Sequence, residues 1–287
     1  MIPQIRQVVN IINIPKLSKI IACVRYIKIL LPLSRINPYR ILFHSCRNHL
    51  QFRPFMFQSP SATAYYDMHR YDQLSCKSLP YKDRVAIIIE TRDMPVLPWT
   101  INNIIYFTHW PVIVYHSNLN SQYLERLDLK QTFLLSSDFA INDYNALLVS
   151  RLFWQSLPEH VLLFQTDSFM LRWGLESFLK YDYVGAPWTR KNLNCYSIPL
   201  NIGNGGFSLR RRDKMLQIID GLPFQNEQAE DLYFANGFEK FGGTLPSLWI
   251  KKRFSVEHIY YKKPLAVHAP WLSFDENKLG HLFSYTD

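Results

Sequence analysis

Short apolar runs, each followed by a polar side chain, constrain the fold of this chain more than any other feature. The runs are rich in Val, Ile and Leu, which is typical of buried strands. A buried strand of an α/β protein that ends in a carboxylate or an imidazole presents that group at the edge of its sheet. In chain order, the polar residues that follow the runs are Glu90, His116, Asp167 and His268.

Helical patterns lie between the first three runs and predict the order of the elements. Strands that alternate with helices form βαβ units, so we expect an α/β fold with a mainly parallel sheet. Thr100 and Asn142 have the chemistry of helix N-caps and are predicted to begin the first and third helices. The predicted strands are 85–90, 111–115 and 160–164, and the predicted helices are 101–107, 121–129 and 144–157.

The pattern changes after Asp167, where the strands become shorter and glycine-rich. We expect this half to build the acceptor side of a cleft, and the first half to bind a ligand at the carboxyl ends of its strands. Residues 81–287 are thus predicted to form one mixed-sheet domain. The predicted elements of the second half are strands at 181–188, 204–209, 254–260 and 265–268, and helices at 211–220 and 228–241.

The N-terminal region is strongly basic. Residues 1–66 contain nine Lys or Arg and no Asp or Glu, so the net charge of +9 belongs to this region and the rest is neutral. We interpret residues 1–80 as a helical extension with a linker, which exposes its charges to water, contacts an anionic membrane surface or acts as a mitochondrial-type leader. Because the rest of the chain is neutral, we expect no nucleic-acid partner there.

Targeting and redox signals are sparse. No run of about 18 uncharged apolar residues occurs, so no transmembrane helix is predicted. No apolar centre followed by a cleavage site indicates a secretory signal. The four cysteines lack metal-type spacing, which is typical of reduced thiols. We expect a cytoplasmic protein or one held at a membrane surface.

Asp167 is a candidate metal ligand, since it follows a predicted strand within the segment Gln165-Thr166-Asp167. A carboxylate at a strand end suits Mg²⁺ or Mn²⁺, because hard cations prefer oxygen ligands. The alternative is that Asp167 caps the next turn. His268 follows a later strand and is a second candidate ligand. A lone histidine is, however, more often a structural residue.

The glycine-rich segment at 203–206 is the second candidate region. Clustered glycines permit unusual backbone angles or the close approach of another molecule. Asn204, Gly205 and Gly206 therefore either line a sugar pocket or form a β-bulge. The segment matches neither phosphate-loop pattern. Arg210 follows it and is a candidate phosphate contact.

Glu230 and Asp231 begin a predicted helix. Acids in a first helical turn are favoured by the helix dipole, which is the structural explanation. The functional explanation is a general base that deprotonates an acceptor hydroxyl. Adjacent helical positions diverge, so only one of the two carboxylates is expected to face the cleft.

Taken together, these segments resemble domain-of-unknown-function family 5672, a group of glycosyltransferase-like proteins found in fungi, bacteria and large viruses. The most specific matches are FQTDS at 164–168 and GNGGFSLR at 203–210, and the similarity covers nearly everything after residue 83. The family is similar to glycosyltransferases of the GT-A fold, which combine one nucleotide-binding α/β domain with an acceptor half. The resemblance implies a nucleotide-sugar donor and a divalent metal.

The resemblance also assigns roles to residues. The wider superfamily binds its metal through Asp-x-Asp, but here the corresponding place reads Gln165-Thr166-Asp167, so one carboxylate is missing. The Glu230-Asp231 pair is similar to the motif that supplies the base in some inverting members, and the analogy favours Asp231. The expected donor contacts are Glu90, Arg92, His116, Gln165, Thr166, Asn204, Gly205, Gly206 and Arg210, and the expected metal ligands are Asp167 and His268.

Two alternatives to a glycosyltransferase stay open. The incomplete metal motif is compatible with an inactive protein that binds a nucleotide-sugar or a glycan. The basic residues 1–66 are compatible with a protein that acts by recruiting a membrane or a partner. The sequence leaves open whether the acceptor is a glycan, a protein or a lipid.

Overall fold

The computed structural model of the chain describes residues 77–225 and 228–283. The predicted membrane contact through residues 1–66, and nearly all of the predicted extension at 1–80, lie outside the described residues. Within them, the strands are β1 (Arg84–Glu90), β2 (Val112–His116), β3 (Gln131–Leu134), β4 (His160–Phe164), β5 (Ser168–Met170), β6 (Tyr183–Gly185), β7 (Phe207–Arg211), β8 (Ser255–Val256) and β9 (Ala266–His268).

Helices flank the strands and connect most of them. The α-helices of the described residues are α1 (Leu97–Thr108), α2 (Ser121–Leu124), α3 (Ile141–Leu148), α4 (Arg151–Gln155), α5 (Arg190–Cys195), α6 (Arg212–Gly221), α7 (Glu230–Phe241), α8 (Leu248–Phe254) and α9 (Glu276–Phe283). Among them, no helix combines the length and the apolar character that crossing a bilayer requires.

The central sheet has six strands in the order β3-β2-β1-β4-β7-β6. The pairs β3–β2, β2–β1 and β1–β4 are parallel, whereas β7 pairs antiparallel with both β4 and β6. The predicted α/β class and mainly parallel sheet are therefore confirmed. In the register of β1 and β2, Glu90 lies opposite His116.

The first strand explains why its sequence is apolar throughout. Val85, Ala86, Ile87 and Ile88 are fully buried, because helices cover both faces of the sheet. Ala86 and Ile88 belong to the core cluster that contains α1, whereas Val85 and Ile87 belong to the cluster that contains α4, α6 and α7. Alternate side chains of one strand thus supply two cores.

A small second sheet has the order β5-β9-β8. Strand β5 begins directly after Asp167 and pairs antiparallel with β9, so that Ser168 lies opposite His268. Strand β8 pairs parallel with β9 and ends one residue before Glu257. The small sheet therefore brings the residues around Asp167, Glu257 and His268 to one place, although they are distant in sequence.

Several predicted boundaries were wrong. Helix α1 begins at Leu97, because Pro98 is tolerated in a first helical turn. Thr100 is not the N-cap but lies inside the helix, where its hydroxyl donates to the carbonyls of Val96 and Thr166. Strand β8 is shorter than the predicted 254–260, since α8 occupies residues up to Phe254.

The predicted helix at 144–157 is two helices, α3 and α4. Its N-cap is Ala140, not Asn142, and Asp143 accepts a hydrogen bond from the Ala140 backbone N–H. The chain becomes extended at Ser150. The indole of Trp154 donates to the Leu148 carbonyl at 2.6 Å, which satisfies a group that a continuous helix would bond internally.

Candidate functional site

The carboxyl end of β1 holds an exposed guanidinium through a buried carboxylate. Glu90 is buried, and its two oxygens accept from Arg92 Nε at 2.8 Å and Arg92 Nη2 at 2.6 Å. Thr166 Oγ1 also donates to Glu90 Oε2, at 3.1 Å. The Arg92 side chain stays 60% exposed. The Glu90 hydrogen bond raises the pKa of Arg92, and the charge of Asp167 adds to the effect.

The neighbouring turns are fixed by buried polar groups. His116, at the end of β2, is buried with Nδ1 2.9 Å from the Ser117 carbonyl. Asn120 Nδ2 donates to the backbone carbonyls of Glu90 at 2.8 Å and Arg92 at 2.6 Å. Sequence reasoning missed Asn120, since an isolated asparagine in a loop carries no distinctive pattern. This amide fixes the course of the chain that carries the Arg92 side chain.

Asp167 and His268 meet across the small sheet. His268 Nε2 lies 3.5 Å from Asp167 Oδ1 and 3.1 Å from Gln165 Oε1. The Asp167 side chain is 17% exposed, so one part of this cluster reaches water. The two predicted metal ligands, Asp167 and His268, are therefore brought together, with Gln165 beside them.

Glu257 completes this group and was not predicted as a site residue. Its Oε1 lies 3.5 Å from His268 Nδ1 and accepts from Asn204 Nδ2 at 3.4 Å. Burial by itself lowers the pKa of His268, but the charges and hydrogen bonds of Asp167 and Glu257 outweigh it and raise the pKa to about 10. We call Gln165, Asp167, Glu257 and His268 the His268 cluster.

The spacing of three atoms in the His268 cluster can be compared with the spacing of ligands around a divalent cation: Asp167 Oδ1, Gln165 Oε1 and His268 Nε2. Neighbouring ligands of an octahedral ion with bonds of about 2.1 Å lie about 3 Å apart, and Asp167 Oδ1 and Gln165 Oε1 lie 3.5 and 3.1 Å from His268 Nε2. The described residues contain no group of three His, Cys, Asp or Glu side chains that could hold a metal ion. A metal here would take Asp167 and His268 as ionisable ligands, and His268 would release its proton.

The glycine-rich segment makes close contacts with functional side chains. A Cβ on Gly206 would lie 2.2 Å from His268 Nε2, and one on Gly205 would lie 2.1 Å from Glu230 Oε1. The Gly206 N–H donates to Asn204 Oδ1 at 2.7 Å. Protein side chains thus account for the lack of a Cβ at both positions.

Arg210 is fully buried beneath this segment. Its guanidinium donates to both oxygens of Glu230, at 2.6 and 2.9 Å, and Nε donates to Ser208 Oγ at 2.9 Å. The rings of Tyr183 and Phe234 lie 4.8 and 5.4 Å from the guanidinium carbon. Every side of Arg210 therefore contacts protein in this structure.

Asp231 differs sharply from its neighbour Glu230. Asp231 as a whole residue is partly exposed, and its carboxylate accepts from the backbone N–H of Gly205 at 3.4 Å and of Leu232 at 2.9 Å. Burial among protein atoms raises the pKa of Asp231 to about 7; the charge of Glu230 adds to this rise, and Arg210 opposes it. As expected for adjacent helical positions, the two side chains have separate surroundings.

Helix α3 contacts both the segment after β4 and the beginning of α7. The Gln165 amide donates to the Tyr144 hydroxyl at 3.3 Å, and Asn145 Oδ1 accepts from the Glu230 backbone N–H at 3.2 Å. Asn145 thus caps α7, whose own N-cap residue is Ala229. The residues predicted from sequence form neighbouring groups of polar contacts, of which the Arg210–Glu230 group is the buried one.

Comparison with known proteins identifies the chain only at the level of a family. No curated protein matches the sequence. Residues 124–268 match the family described as "Protein of unknown function (DUF5672)". The match covers more than half of the chain and includes the His268 cluster, the glycine-rich segment and Asp231, but not Glu90, Arg92 or His116. The chain therefore belongs to the DUF5672 family.

Proposed function

We propose that this cleft belongs to a glycosyltransferase of the GT-A type, which moves a sugar from a nucleotide-sugar to an acceptor hydroxyl. The observation that carries the proposal is the state of Asp231. Asp231 is a partly exposed residue, burial among protein atoms raises the pKa of its carboxyl group to about 7, and Gly205 and Gly206 link it to the His268 cluster. Such a carboxylate is suited to accept a proton near neutral pH.

The first half of the domain supports a donor site. Ligands of parallel α/β sheets bind at the carboxyl ends of the strands. Glu90 and His116 are the last residues of β1 and β2, and the segment at 165–167 follows β4. We assign the nucleotide to the side of His116 and the diphosphate to the exposed Arg92 guanidinium. Glu90 then acts as a positioning residue, because its carboxylate is engaged by Arg92. The GT-A assignment itself is an analogy of fold.

The proposed reaction is a single displacement. A carboxylate oxygen of Asp231 takes the proton of the acceptor hydroxyl, while the acceptor oxygen bonds to the anomeric carbon. The bond between the anomeric carbon and the diphosphate breaks, and the nucleoside diphosphate leaves with the bonding electrons. Attack from the face opposite the leaving group inverts the anomeric centre.

The remaining residues stabilise charge and hold geometry. A divalent metal on Asp167 and His268 would neutralise negative charge on the leaving diphosphate. Arg92 adds a fixed positive charge beside Asp167. Asn204 is assigned to the sugar, since its amide lies between the glycine segment and Glu257. Arg210 donates to the Gly205 carbonyl. The charge of Glu230 raises the pKa of Asp231 and that of Arg210 lowers it, so we assign both residues positioning roles.

Thermal shift with nucleotides tests the donor site. UDP, GDP, CMP and their sugars are each added to the full chain with Mn²⁺ or with EDTA. We expect one nucleotide family to raise Tm with Mn²⁺, and Asp167→Ala to abolish the shift. The exposed Asp138 supplies the control Asp138→Ala, which should keep it. Absence of any shift across the panel contradicts the proposal.

A non-catalytic binding protein is the second candidate, and the Gln165-Thr166-Asp167 sequence favours it, because one metal carboxylate is missing. Such a protein would bind the same donor but would neither hydrolyse it nor transfer its sugar to any acceptor. Donor hydrolysis and transfer to a broad panel of glycans, proteins and lipids discriminate the two. Binding without either reaction supports the second candidate.

A further inference from the structure

An exposed apolar patch lies at the beginning of α8. The side chains of Leu248 and Trp249 are 49% and 59% exposed. The ring of Tyr261 packs edge-on against Trp249 with centroids 5.3 Å apart, so the indole is held in place. Tyrosine and tryptophan combine an apolar ring with a polar atom, which suits the boundary between water and an apolar phase.

Basic residues lie close to this patch in the sequence, where Lys252 is partly exposed and Arg253, Lys262 and Lys263 are exposed. Residues 245–263 contain five Lys or Arg and one acid, Glu257, which is buried against His268. Lys251 is buried and donates to the Asn201 carbonyl. The other four, together with the patch, form what we call the α8 surface: Leu248, Trp249, Tyr261, Lys252, Arg253, Lys262 and Lys263.

Helix α8 ends beside the start of β9, whereas the His268 cluster includes residues at the carboxyl ends of β9 and β8. The Arg253 carbonyl accepts from the Leu265 N–H at 2.7 Å, which places the end of α8 beside the start of β9. His268 and Glu257 lie at the carboxyl ends of β9 and β8. The α8 surface therefore contains none of the residues of the His268 cluster.

The charge of the α8 surface selects among occupants. Residues 1–66 of the same chain carry nine basic and no acidic residues, so they have the same sign and are repelled by it. An RNA backbone would match the charge but would leave the apolar Leu248 side chain uncovered. An anionic bilayer matches both, because it offers lipid phosphates to the lysines and an acyl region to Leu248 and Trp249.

We propose that the α8 surface is a docking site for an anionic lipid membrane, with Trp249 and Leu248 inserted at the interface and the basic side chains against the headgroups. Lysine and arginine stems can lie along the apolar boundary while their charges reach the phosphates. The inference does not depend on the proposed enzymatic activity, since it uses none of the cleft residues.

Vesicle co-sedimentation of the full chain tests the proposal. Vesicles of phosphatidylcholine with phosphatidylserine are compared with pure phosphatidylcholine. We expect Lys262→Gln/Lys263→Gln to lower binding to the anionic vesicles about 25-fold, since each basic residue near such a surface contributes a factor of about five. Trp249→Ser should lower it about tenfold. The control Arg126→Gln/Lys130→Gln removes the same charge from exposed positions elsewhere and should have little effect.

Hydrogen exchange separates the α8 surface from the basic N-terminal region in the same protein. With anionic vesicles, we expect slower amide exchange in α8 and at 259–263. The proposal is overturned if the chain binds vesicles but amide exchange in α8 and at 259–263 is not slowed. It is also overturned if the lysine and tryptophan variants bind anionic vesicles as well as the parent does. Binding to RNA but not to vesicles, weakened by the same lysine variants, also overturns it and identifies the surface as a nucleic-acid site.

Discussion

Two buried groups of charged side chains, the Arg210–Glu230 pair and the His268 cluster, differ in how closely their members contact each other. In the Arg210–Glu230 pair, two hydrogen bonds of 2.6 and 2.9 Å join the side chains, which are 0% and 6% exposed. In the His268 cluster, the contacts of His268 to Asp167 and Glu257 are both 3.5 Å. The pair is short and closed, whereas the cluster is looser and partly open to water.

This difference indicates which group can accept a ligand. Each guanidinium nitrogen of Arg210 donates to protein, so a phosphate would have to displace Glu230. Glu257 Oε2 is buried and has no hydrogen-bond partner among the described residues, and Asp167 is partly exposed. An unsatisfied buried oxygen is costly unless something else binds it. The His268 cluster is therefore the better place for a ligand.

The largest expected effect on stability follows from removing one partner of the buried Arg210–Glu230 pair. Arg210→Met leaves the Glu230 carboxylate buried without its partner, and we expect a loss of about 3–5 kcal/mol in the free energy of unfolding. Urea unfolding followed by circular dichroism measures it. Arg211→Met is the control, since its ion pairs with Glu159 and Asp182 are partly exposed and should contribute less than about 1 kcal/mol.

A second variant tests the physical reason for that loss. Arg210→Met/Glu230→Leu removes both charges, and most of the lost stability should return, because an apolar pair of similar volume needs no desolvation. If the double variant is as unstable as Arg210→Met, packing around Tyr183 and Phe234 rather than charge explains the loss.

Asp231 lies next to the closed Arg210–Glu230 pair but is not paired with Arg210, and we expect its substitution to affect catalysis. Asp231→Asn keeps the shape but removes the base, so we expect kcat to fall by about 10²–10⁴-fold. The assay is transfer or donor hydrolysis with the nucleotide that thermal shift identifies. Asp213→Asn changes an exposed acid in the first turn of α6 and should leave kcat unchanged. A fully active, folded Asp231→Asn protein contradicts the assigned role.

The same substitution should increase the free energy of unfolding, by an amount that depends on pH. Because the pKa of Asp231 rises from about 3.9 to about 7 on folding, the folded state binds the proton more tightly. Its contribution to stability is complete below pH 4 or so and is lost as pH rises to 7. At pH 8 we expect Asp231→Asn to be more stable than the parent by about 1–2 kcal/mol, a value reduced for partial exposure.

Equal stability of the two proteins at pH 4 and a difference at pH 8 would distinguish this effect from a general change in packing. The activity should follow the opposite course, since kcat/KM reports the free enzyme's base and should rise with pH through about 7. A flat pH profile between 6 and 8 would contradict the assignment of Asp231 as the base.

The sequence predicts the parallel half of the molecule better than the other half. Continuous apolar strands such as β1 and β4 are buried on both faces, and this pattern is visible without the structure. Glu90 and His116 fall opposite each other because parallel strands end at one edge. Strand β3 was missed, since it lies at the sheet edge with mostly exposed side chains and lacks an apolar pattern.

The residues of the candidate site were proposed from the sequence, but the contacts among them were not predictable. Glu230 and Asp231 are adjacent in sequence, yet only the three-dimensional position of Arg210 decides which of them is neutralised. Glu257 follows a strand of two residues, too short to give a periodic signal. Long-range contacts of this kind depend on tertiary structure and leave no local pattern.

The smallest effect is expected from a single methyl group in the open region. Gly206→Ala would place a Cβ 2.2 Å from His268 Nε2, so the imidazole must shift, at a cost of about 1–3 kcal/mol in stability. Gly280→Ala, inside α9 with nothing within 4 Å, should instead be neutral or stabilising by up to about 1 kcal/mol. Because the ring belongs to the proposed metal site, Gly206→Ala should also weaken the Mn²⁺-dependent thermal shift, whereas Gly280→Ala should not. A Gly206→Ala protein that loses stability but keeps that shift would mean that His268 supports the fold without binding the metal.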